Sequence, residues 1–485
     1  FAGQEIQERT AYNSFNYSPV FDEEHRIVGF PEMDGIDGSE INYNALGGTG
    51  KSVSKMSSFF ANASYSYLDK YILTGALRYD GSDIIGNDNQ FTPLWNVGLR
   101  WNLHREEFMK RWMWVDQFAV RGGFGYTGSI DKNALPFVVM TLGQSVVYDG
   151  QTVPTSFSYP NPNVKWQTKQ DMNVGLDLSL FDYRLELGVN YYHNITRDVL
   201  DRKALPYSSG RNEVTENVAD IYNNGWEIDL GVTLLKNKSF QWYAKANIAI
   251  NDNKVKNTYY KDTEDLPRAT LSNAHQFVEN QPVNGWYGYK FAGINPINGA
   301  VMTYTGNGEA TLDMSVSGAT WPTPSVFYLG NLTPPVVGGF STSANWKQLI
   351  FSANFEFKTG HKIKSFNTFR SLDARNRHTS EANRWREPGD ITNVPAMSEA
   401  FTTYSSYMYD ILLEKGNYLR CSYMTLGYNL KPEWLHKIGF STARLSFTAK
   451  NLFTISSYSG IDPALMGSFG YPNSRKYTIT LNVGF

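Results

Sequence analysis

The sequence predicts an all-β fold, a transmembrane antiparallel β-barrel, from three observations. Segments in which apolar and polar side chains alternate recur along the chain, and their length of about ten residues is what a tilted strand needs to cross a bilayer. The connections between them are either very short or very long. No apolar run reaches the length of a membrane-spanning helix. Alternation gives each strand an apolar face for lipid and a polar face for the barrel interior.

The composition agrees with a barrel and excludes other classes. The formal net charge is −2 over 485 residues, which gives no electrostatic basis for binding nucleic acid. The mean hydropathy is −0.40, as expected where alternate residues face water. A single cysteine, Cys421, excludes a disulfide framework and a cysteine metal site. The seven histidines are scattered, so we predict neither an enzyme nor any metal or cofactor.

The last ten residues show the alternation in its clearest form. Polar residues occupy one face of KYTITLNVGF. The apolar face consists of Tyr477, Ile479, Leu481, Val483 and Phe485. Alone, this segment fits either the closing strand of a barrel or a half-buried edge strand of a soluble protein. Because about thirteen segments of the same kind precede it, we predict the closing strand of a barrel.

Counting a partial strand at the start, the sequence contains about 14 strand segments. The predicted short turns include 68–70, 181–183 and 236–239. The predicted long loops are 9–56, 128–166, 198–219, 254–334 and 359–416. Short turns at one end and long loops at the other are typical of outer-membrane barrels. Long loops usually carry function.

Aromatic residues in the long loops are the candidates for substrate binding. The candidates, with one neighbouring cation, are Trp286, Tyr287, Tyr289, Trp321, Arg384 and Trp385. Such rings could stack on the faces of sugars or contact peptide side chains. They could equally form the small cores that folded loops require. The sequence leaves both roles open.

Five motifs stand out along the chain. YILTGALRYDGSD (71–83) and FAVRGGFGYTGS (118–129) come first. RWREPGDITNVPA (384–396), YLRCSYMTLGYNL (418–430) and KNLFTISSYSGIDP (450–463) follow. In this order they resemble motifs of the SusC-like (SusC/RagA) TonB-dependent transporters of Bacteroidetes. Because the motifs span nearly the whole chain in order, together they are more specific than any one of them.

The resemblance implies a barrel of about 22 strands with a plug inside it. It also implies TonB-driven import across the outer membrane and a SusD-like surface lipoprotein that closes over the barrel. Residues 1–485 would then be the C-terminal part of the barrel, with the plug domain and the region that couples to TonB outside this sequence. The abrupt start at Phe1, in what reads as the middle of a strand, favours the same interpretation.

We therefore expect an outer-membrane protein in contact with lipid that imports oligosaccharides together with a SusD-like lipoprotein. The alternatives are the same transporter class importing oligopeptides, or a passive porin or adhesive barrel. A porin would have no plug.

Overall fold

The computed structural model describes residues 1–16, 20–21, 27–29, 47–83, 85, 90–130, 140–148, 151–157, 164–204, 208, 213–266, 277–312, 325–365, 382–396, 409–435, 439–466 and 470–485. Their strands are β1 (Ala2–Asn16), β2 (Val20–Phe21), β3 (Ile27–Gly29), β4 (Gly47–Tyr67), β5 (Tyr71–Ser82), β6 (Phe91–Asn102), β7 (Val115–Ser129), β8 (Met140–Tyr148), β9 (Gln151–Phe157), β10 (Gln167–Leu180), β11 (Leu185–Ala204), β12 (Glu213–Lys236), β13 (Phe240–Lys256), β14 (Gly285–Gly288), β15 (Phe291–Ile294), β16 (Val301–Tyr304), β17 (Ala310–Leu312), β18 (Phe327–Asn331), β19 (Val336–Trp346), β20 (Leu349–Thr359), β21 (Lys362–Lys364), β22 (Leu413–Lys415), β23 (Tyr418–Asn429), β24 (Thr442–Lys450), β25 (Thr454–Ser456) and β26 (Lys476–Gly484).

Among the residues that the structure describes, the helical elements are short turns between these strands. The 3₁₀ turns are Leu103–Arg105, Glu107–Arg111, Thr263–Asp265, Asp410–Leu412 and Pro463–Leu465, and one α-helical turn spans Pro432–Leu435. None of the helices in the described part of the chain has the length and apolar character needed to span a bilayer.

The all-β prediction is confirmed by one large antiparallel sheet. Its order is β1-β4-β5-β6-β7-β10-β11-β12-β13-β19-β20-β23-β24-β26, and β25 pairs with β23 as a fifteenth strand. Neighbours in the sheet follow one another along the chain, as hairpin connections require. The last strand, β26, pairs with β24, placing Leu481 opposite Leu445. Closure of the sheet against a strand beyond this chain stays a prediction.

The connections sort into two ends of the sheet. Four of the connections at one end, the short-turn end, are 68–70, 181–184, 237–239 and 347–348. The connections 257–335 and 360–417 lie at the other, the long-loop end.

The strands run further toward the long-loop end than the sequence indicated. In the predicted loop 198–219, β11 and β12 stay paired until Ala204 faces Glu213. In the predicted loop 9–56, β1 and β4 stay paired until Asn16 faces Gly47. Pairing continues there because the backbone hydrogen bonds between strands form whatever the side chains are. Alternation of apolar and polar side chains is needed only where one face of the sheet meets an apolar environment.

The two faces of the sheet differ in chemistry. On one face, called here the apolar face, large side chains point outward and lie exposed; Leu99 is 54% exposed and Leu481 is 61% exposed. On the opposite, polar face, Asp177 lies 2.8 Å from Arg100 and 3.5 Å from Arg121, measured between carboxylate oxygen and guanidinium nitrogen. A broad exposed apolar surface marks a contact with membrane or protein.

The long-loop end has hydrophobic cores of its own. One cluster includes Tyr260, Tyr287, Tyr289, Val326 and Tyr409, all buried. A second is built on Trp286, Leu329 and Leu413. The described parts of loops 257–335 and 360–417 therefore fold into a packed unit, called here the loop assembly.

Candidate functional site

Of the predicted aromatic candidates at 285–289, Trp286 and Tyr287 lie on the short strand β14 inside the loop assembly, and Tyr289 follows directly after it. All four residues of β14 are buried, and β14 pairs with β18. Tyr287 and Tyr289, two residues apart, point to the same side. There they pack with Tyr260 and Tyr409, and both rings are 0% exposed. Of the two roles that the sequence left open, this position fits packing in the core of the folded loops.

Trp286 points to the other side of β14. Its Nε1 donates a hydrogen bond to the Lys362 backbone oxygen at 2.9 Å. The Lys364 ammonium lies 5.6 Å from the ring centroid, within the range of a cation–π contact. Trp286 therefore joins β14 to β21, across two different long loops. Ligand contact by Trp286, Tyr287 or Tyr289 stays a prediction, and in this conformation it would require the loop assembly to open.

Arg384 and Trp385 lie on the segment 382–396 and are both half-buried. Trp385 Nε1 donates to the Pro296 backbone oxygen at 3.1 Å. The Trp385 ring covers Gly299, and a Cβ at Gly299 would come within 2.5 Å of a ring atom. Gly299 also has a φ of +69°. Trp385 thus fastens the segment 382–396 to the turn at 296–299 within the loop assembly, while part of Trp385 stays accessible. Trp321 lies outside the described residues.

Burial and hydrogen bonding shift the pKa values of two titratable groups in the loop assembly, Tyr287 and Glu414. Burial raises the pKa of Tyr287, and Tyr328 raises it further, so its hydroxyl stays neutral. Burial also raises the pKa of Glu414, but hydrogen bonds from Ser365 and Ser459 outweigh this and hold the pKa below its usual value. The Glu414 carboxylate accepts from the Ser459 hydroxyl at 2.6 Å and from its backbone nitrogen at 2.7 Å.

A second candidate site is a cavity on the polar face, called here the polar-face cavity. Its volume is about 610 Å³. It is lined by Arg121, Lys169, Asp171, Asn173, Asn190, Tyr192, Asn194, Asn223, Glu227 and Asn251. These residues come from five neighbouring strands, β7 and β10 to β13.

The sheet register brings these residues together. Asn173 on β10 stands opposite Tyr192 on β11. Asn194 stands opposite Asn223 on β12, and Asn251 on β13 stands opposite Gly225. Facing residues share one side of a sheet, so the amides form a continuous patch.

Glycines allow long polar side chains to lie flat on this wall. At Gly225 a Cβ would come within 2.3 Å of the Tyr192 phenol end. At Gly175 a Cβ would come within 2.8 Å of the Arg121 guanidinium carbon. Because glycine has no side chain, Tyr192 crosses β12, and its hydroxyl donates to Asn251 Oδ1 at 2.8 Å.

The polar-face cavity differs from the loop assembly in offering accessible polar groups. Among the described residues, no three His, Cys, Asp or Glu side chains are grouped so as to hold a metal ion. The polar-face cavity offers amides, which donate and accept hydrogen bonds, beside charged groups and one aromatic ring. Alternation along a strand indicates only which face of the sheet a side chain joins. It missed the site because the register between strands decides which of them become neighbours.

Comparison with known proteins identifies relatives of the chain. Residues 3–357 match the family model described as "TonB dependent receptor-like, beta-barrel". TonB-dependent receptor P3 of Formosa agariphila is 29% identical over 465 residues, which cover 88% of this chain and 45% of the relative. TonB-dependent receptor SusC of Bacteroides thetaiotaomicron is 23% identical over 453 residues, covering 88% of this chain and 43% of that protein. The chain therefore spans about half the length of the relatives it matches.

Solved structures show the same fold. A structure titled as the RagAB peptide transporter superposes with a TM-score of 0.78 at 24% sequence identity, covering all of this chain and 53% of that one. The RagAB peptide importer in its 'open-open' state gives a TM-score of 0.79. At this level of identity the likeness concerns the fold.

Proposed function

Since the chain belongs to the TonB-dependent receptor β-barrel family, we propose that it forms part of the wall of an active nutrient importer. Proteins of this family are outer-membrane β-barrels, so the apolar face of the sheet meets lipid and the polar face lines the interior. The observation that carries the proposal is this division of faces, with a polar cavity on the inner side and exposed apolar residues such as Leu99 on the outer side.

The proposed substrates are oligosaccharides. Sugar hydroxyls donate and accept hydrogen bonds, and the polar-face cavity is rich in amides that do the same. Its charged lining residues are Arg121, Lys169, Asp171 and Glu227, two of each sign. A wall without net charge favours an uncharged solute over a phosphorylated or strongly charged one.

The proposed partners are TonB, which supplies the energy, and a SusD-like lipoprotein at the long-loop end. TonB would act on the part of the full-length protein that this chain does not span. In the loop assembly, Arg384 and Trp385 are the proposed loop contacts to substrate, because both keep part of their surface accessible. No catalytic role is proposed.

Uptake by cells that carry the full-length protein and its partner lipoprotein tests this function. The probes are fluorescent hexasaccharides of glucose, galactose, mannose and xylose, with a pool of hexapeptides as the comparison. We expect uptake of at least one hexasaccharide that stops when TonB is deleted or the proton gradient is dissipated. Uptake that persists without TonB would indicate a passive porin. Uptake of hexapeptides alone would assign the protein to the oligopeptide alternative.

A further inference from the structure

We propose that Tyr192 is the platform of a pyranose-binding subsite on the wall of the barrel. This inference rests on the proposed function, which gives the interior a polar solute to bind, and adds to it one residue and one ring-sized position. Tyr192 borders the polar-face cavity, and it is the one aromatic residue among those that line it.

The ring of Tyr192 is fixed in one orientation. Gly225 stands directly opposite on β12, and the ring lies over it where a Cβ would clash at 2.3 Å. The hydrogen bond from the hydroxyl to Asn251 Oδ1 anchors the far edge. Asn251 in turn donates from Nδ2 to Asn223 Oδ1 at 3.3 Å. One face of the ring therefore packs on the backbone, and the other borders the cavity.

A flat aromatic face suits the apolar face of a sugar ring, whose axial C–H groups lie together on one side. The π-system has negative charge density on its face, which attracts those polarised C–H groups. A ring that is already immobile loses little conformational entropy when a ligand stacks on it. The glycine and the Asn251 anchor supply this preorganisation.

Hydrogen-bonding groups surround the platform. Asn173 lies opposite Tyr192 on β10. Two residues before Tyr192 on β11, Asn190 Nδ2 donates to Glu227 Oε2 on β12 at 3.2 Å. No group among the described residues hydrogen-bonds Asn190 Oδ1. An unpaired buried oxygen is costly. A small shift of the Asn190 side chain would let a sugar hydroxyl donate to this oxygen and accept from a neighbouring amide.

Three of the four charged lining residues are paired with an opposite charge within the protein, and the fourth, Glu227, accepts a hydrogen bond from the Asn190 amide. Lys169 forms an ion pair with Asp171, and Arg121 lies 3.5 Å from Asp177. Paired charges offer little free attraction for the charged ends of a peptide or for phosphate. The subsite therefore fits an uncharged pyranose. A segment of the full-length polypeptide packed on the same wall is the competing occupant, and the experiment below separates the two.

The test measures binding of the four fluorescent hexasaccharides and the hexapeptide pool to the full-length transporter with its partner lipoprotein. The variants are Tyr192→Ala, Tyr192→Leu and Tyr192→Phe. The matched control is Tyr243→Ala. Tyr243 also lies over a glycine of β12, Gly231, and its hydroxyl faces Glu186, but it does not line the polar-face cavity.

We expect Tyr192→Ala and Tyr192→Leu to weaken hexasaccharide binding by about tenfold, the equivalent of 1.4 kcal/mol. Tyr192→Phe keeps the ring and loses only the anchor, so it should stay within about threefold of wild type. Tyr243→Ala should bind as wild type does. Tyr192→Leu keeps the inference testable if the alanine variant fails to assemble, because leucine preserves bulk on the wall without a flat face.

The inference is overturned if Tyr192→Leu binds the hexasaccharides as wild type does while both proteins take them up through TonB. That result leaves the proposed function intact. It is also overturned if the Tyr192 and Tyr243 variants lose hexasaccharide binding and thermal stability equally. That result would indicate that a segment of the full-length polypeptide packs on the polar face. Failure of the wild type to take up any hexasaccharide would instead remove the proposed function and the subsite with it.

Discussion

Arg420 and Asp462 form an ion pair inside the protein, with 2.5 Å between Nη2 and Oδ1 and side-chain exposures of 4% and 7%. Arg420 belongs to β23, and Asp462 follows β25. Arg420 Nε also donates to Thr454 Oγ1 at 3.0 Å, and its guanidinium lies 5.2 Å from the Tyr418 ring centroid. The pair therefore fastens the connection after β25 to the long-loop end of β23.

Removing Arg420 should destabilise this end of the sheet. Arg420→Leu leaves Asp462 buried without its cation, and breaking a buried pair in this way costs about 3–5 kcal/mol. The measurement is the free energy of unfolding in urea, with the protein in lipid vesicles. The double variant Arg420→Leu, Asp462→Leu should recover much of the loss, because no buried charge remains. If the single and the double variant lost the same free energy of unfolding, the unpaired Asp462 charge would not be the cause of the loss.

Glu106 should make stability depend on pH at the short-turn end. Hydrogen bonds from Tyr71, Lys70 and Trp101 lower the pKa of Glu106 to about 2 from its ordinary value of 4.5. The Tyr71 hydroxyl donates at 2.7 Å. A lowered folded-state pKa stabilises the protein above the unfolded pKa, and this contribution is lost as pH falls through the folded pKa. We expect the melting-temperature difference between wild type and Glu106→Gln to be constant above pH 5 and to shrink between pH 4.5 and about 2.

The matched control for Glu106 is Glu107→Gln. Glu107 pairs with Lys110 at 2.7 Å, but both side chains are more than 60% exposed, and exposed pairs contribute little to stability. This variant should follow the wild-type pH profile closely. If the melting temperature of Glu106→Gln ran parallel to that of wild type down to pH 2, Glu106 would not be the source of the pH dependence.

Trp286→Ala should loosen the loop assembly and leave the barrel wall assembled. Truncating a buried tryptophan costs about 3–5 kcal/mol, and here it also leaves the Lys362 oxygen without its donor. Limited proteolysis of intact cells should then cut within 257–335 or 360–417 faster than in wild type. Ile391→Ala is the control, since Ile391 is 99% exposed. Unchanged proteolysis, with loss of hexasaccharide binding alone, would instead assign Trp286 to the substrate.

The last strand offers a test of which face meets lipid. Leu481 lies on the apolar face and Asn482 on the polar face of β26. An arginine facing the middle of the bilayer costs about 2–4 kcal/mol, so Leu481→Arg should lower the yield of assembled protein in the outer membrane. Asn482→Arg, one position away, should assemble nearly as wild type does. The reverse ranking would mean that the faces are assigned the wrong way round.

The motifs of the sequence predicted the family, which is confirmed, and the structure shows how two of these motifs meet. YLRCSYMTLGYNL supplies Arg420 and KNLFTISSYSGIDP supplies Asp462. Neither motif alone indicates an ion pair. The pairing arises because β24 ends at Lys450 and β25 continues along β23, which returns Asp462 to the level of Arg420.

The sequence by itself determined the all-β fold and the chemistry of the two faces, because alternation along a strand is a local property that needs no knowledge of neighbours. It did not determine whether the aromatic loop residues are buried. Trp286, Tyr287 and Tyr289 are buried through contacts between loops far apart in the chain. Nor did it determine the polar-face cavity. Only the tertiary structure decided which polar residues adjoin Tyr192. Their proximity depends on the register between strands and on which strand position holds a glycine, and the pattern within a single strand contains neither.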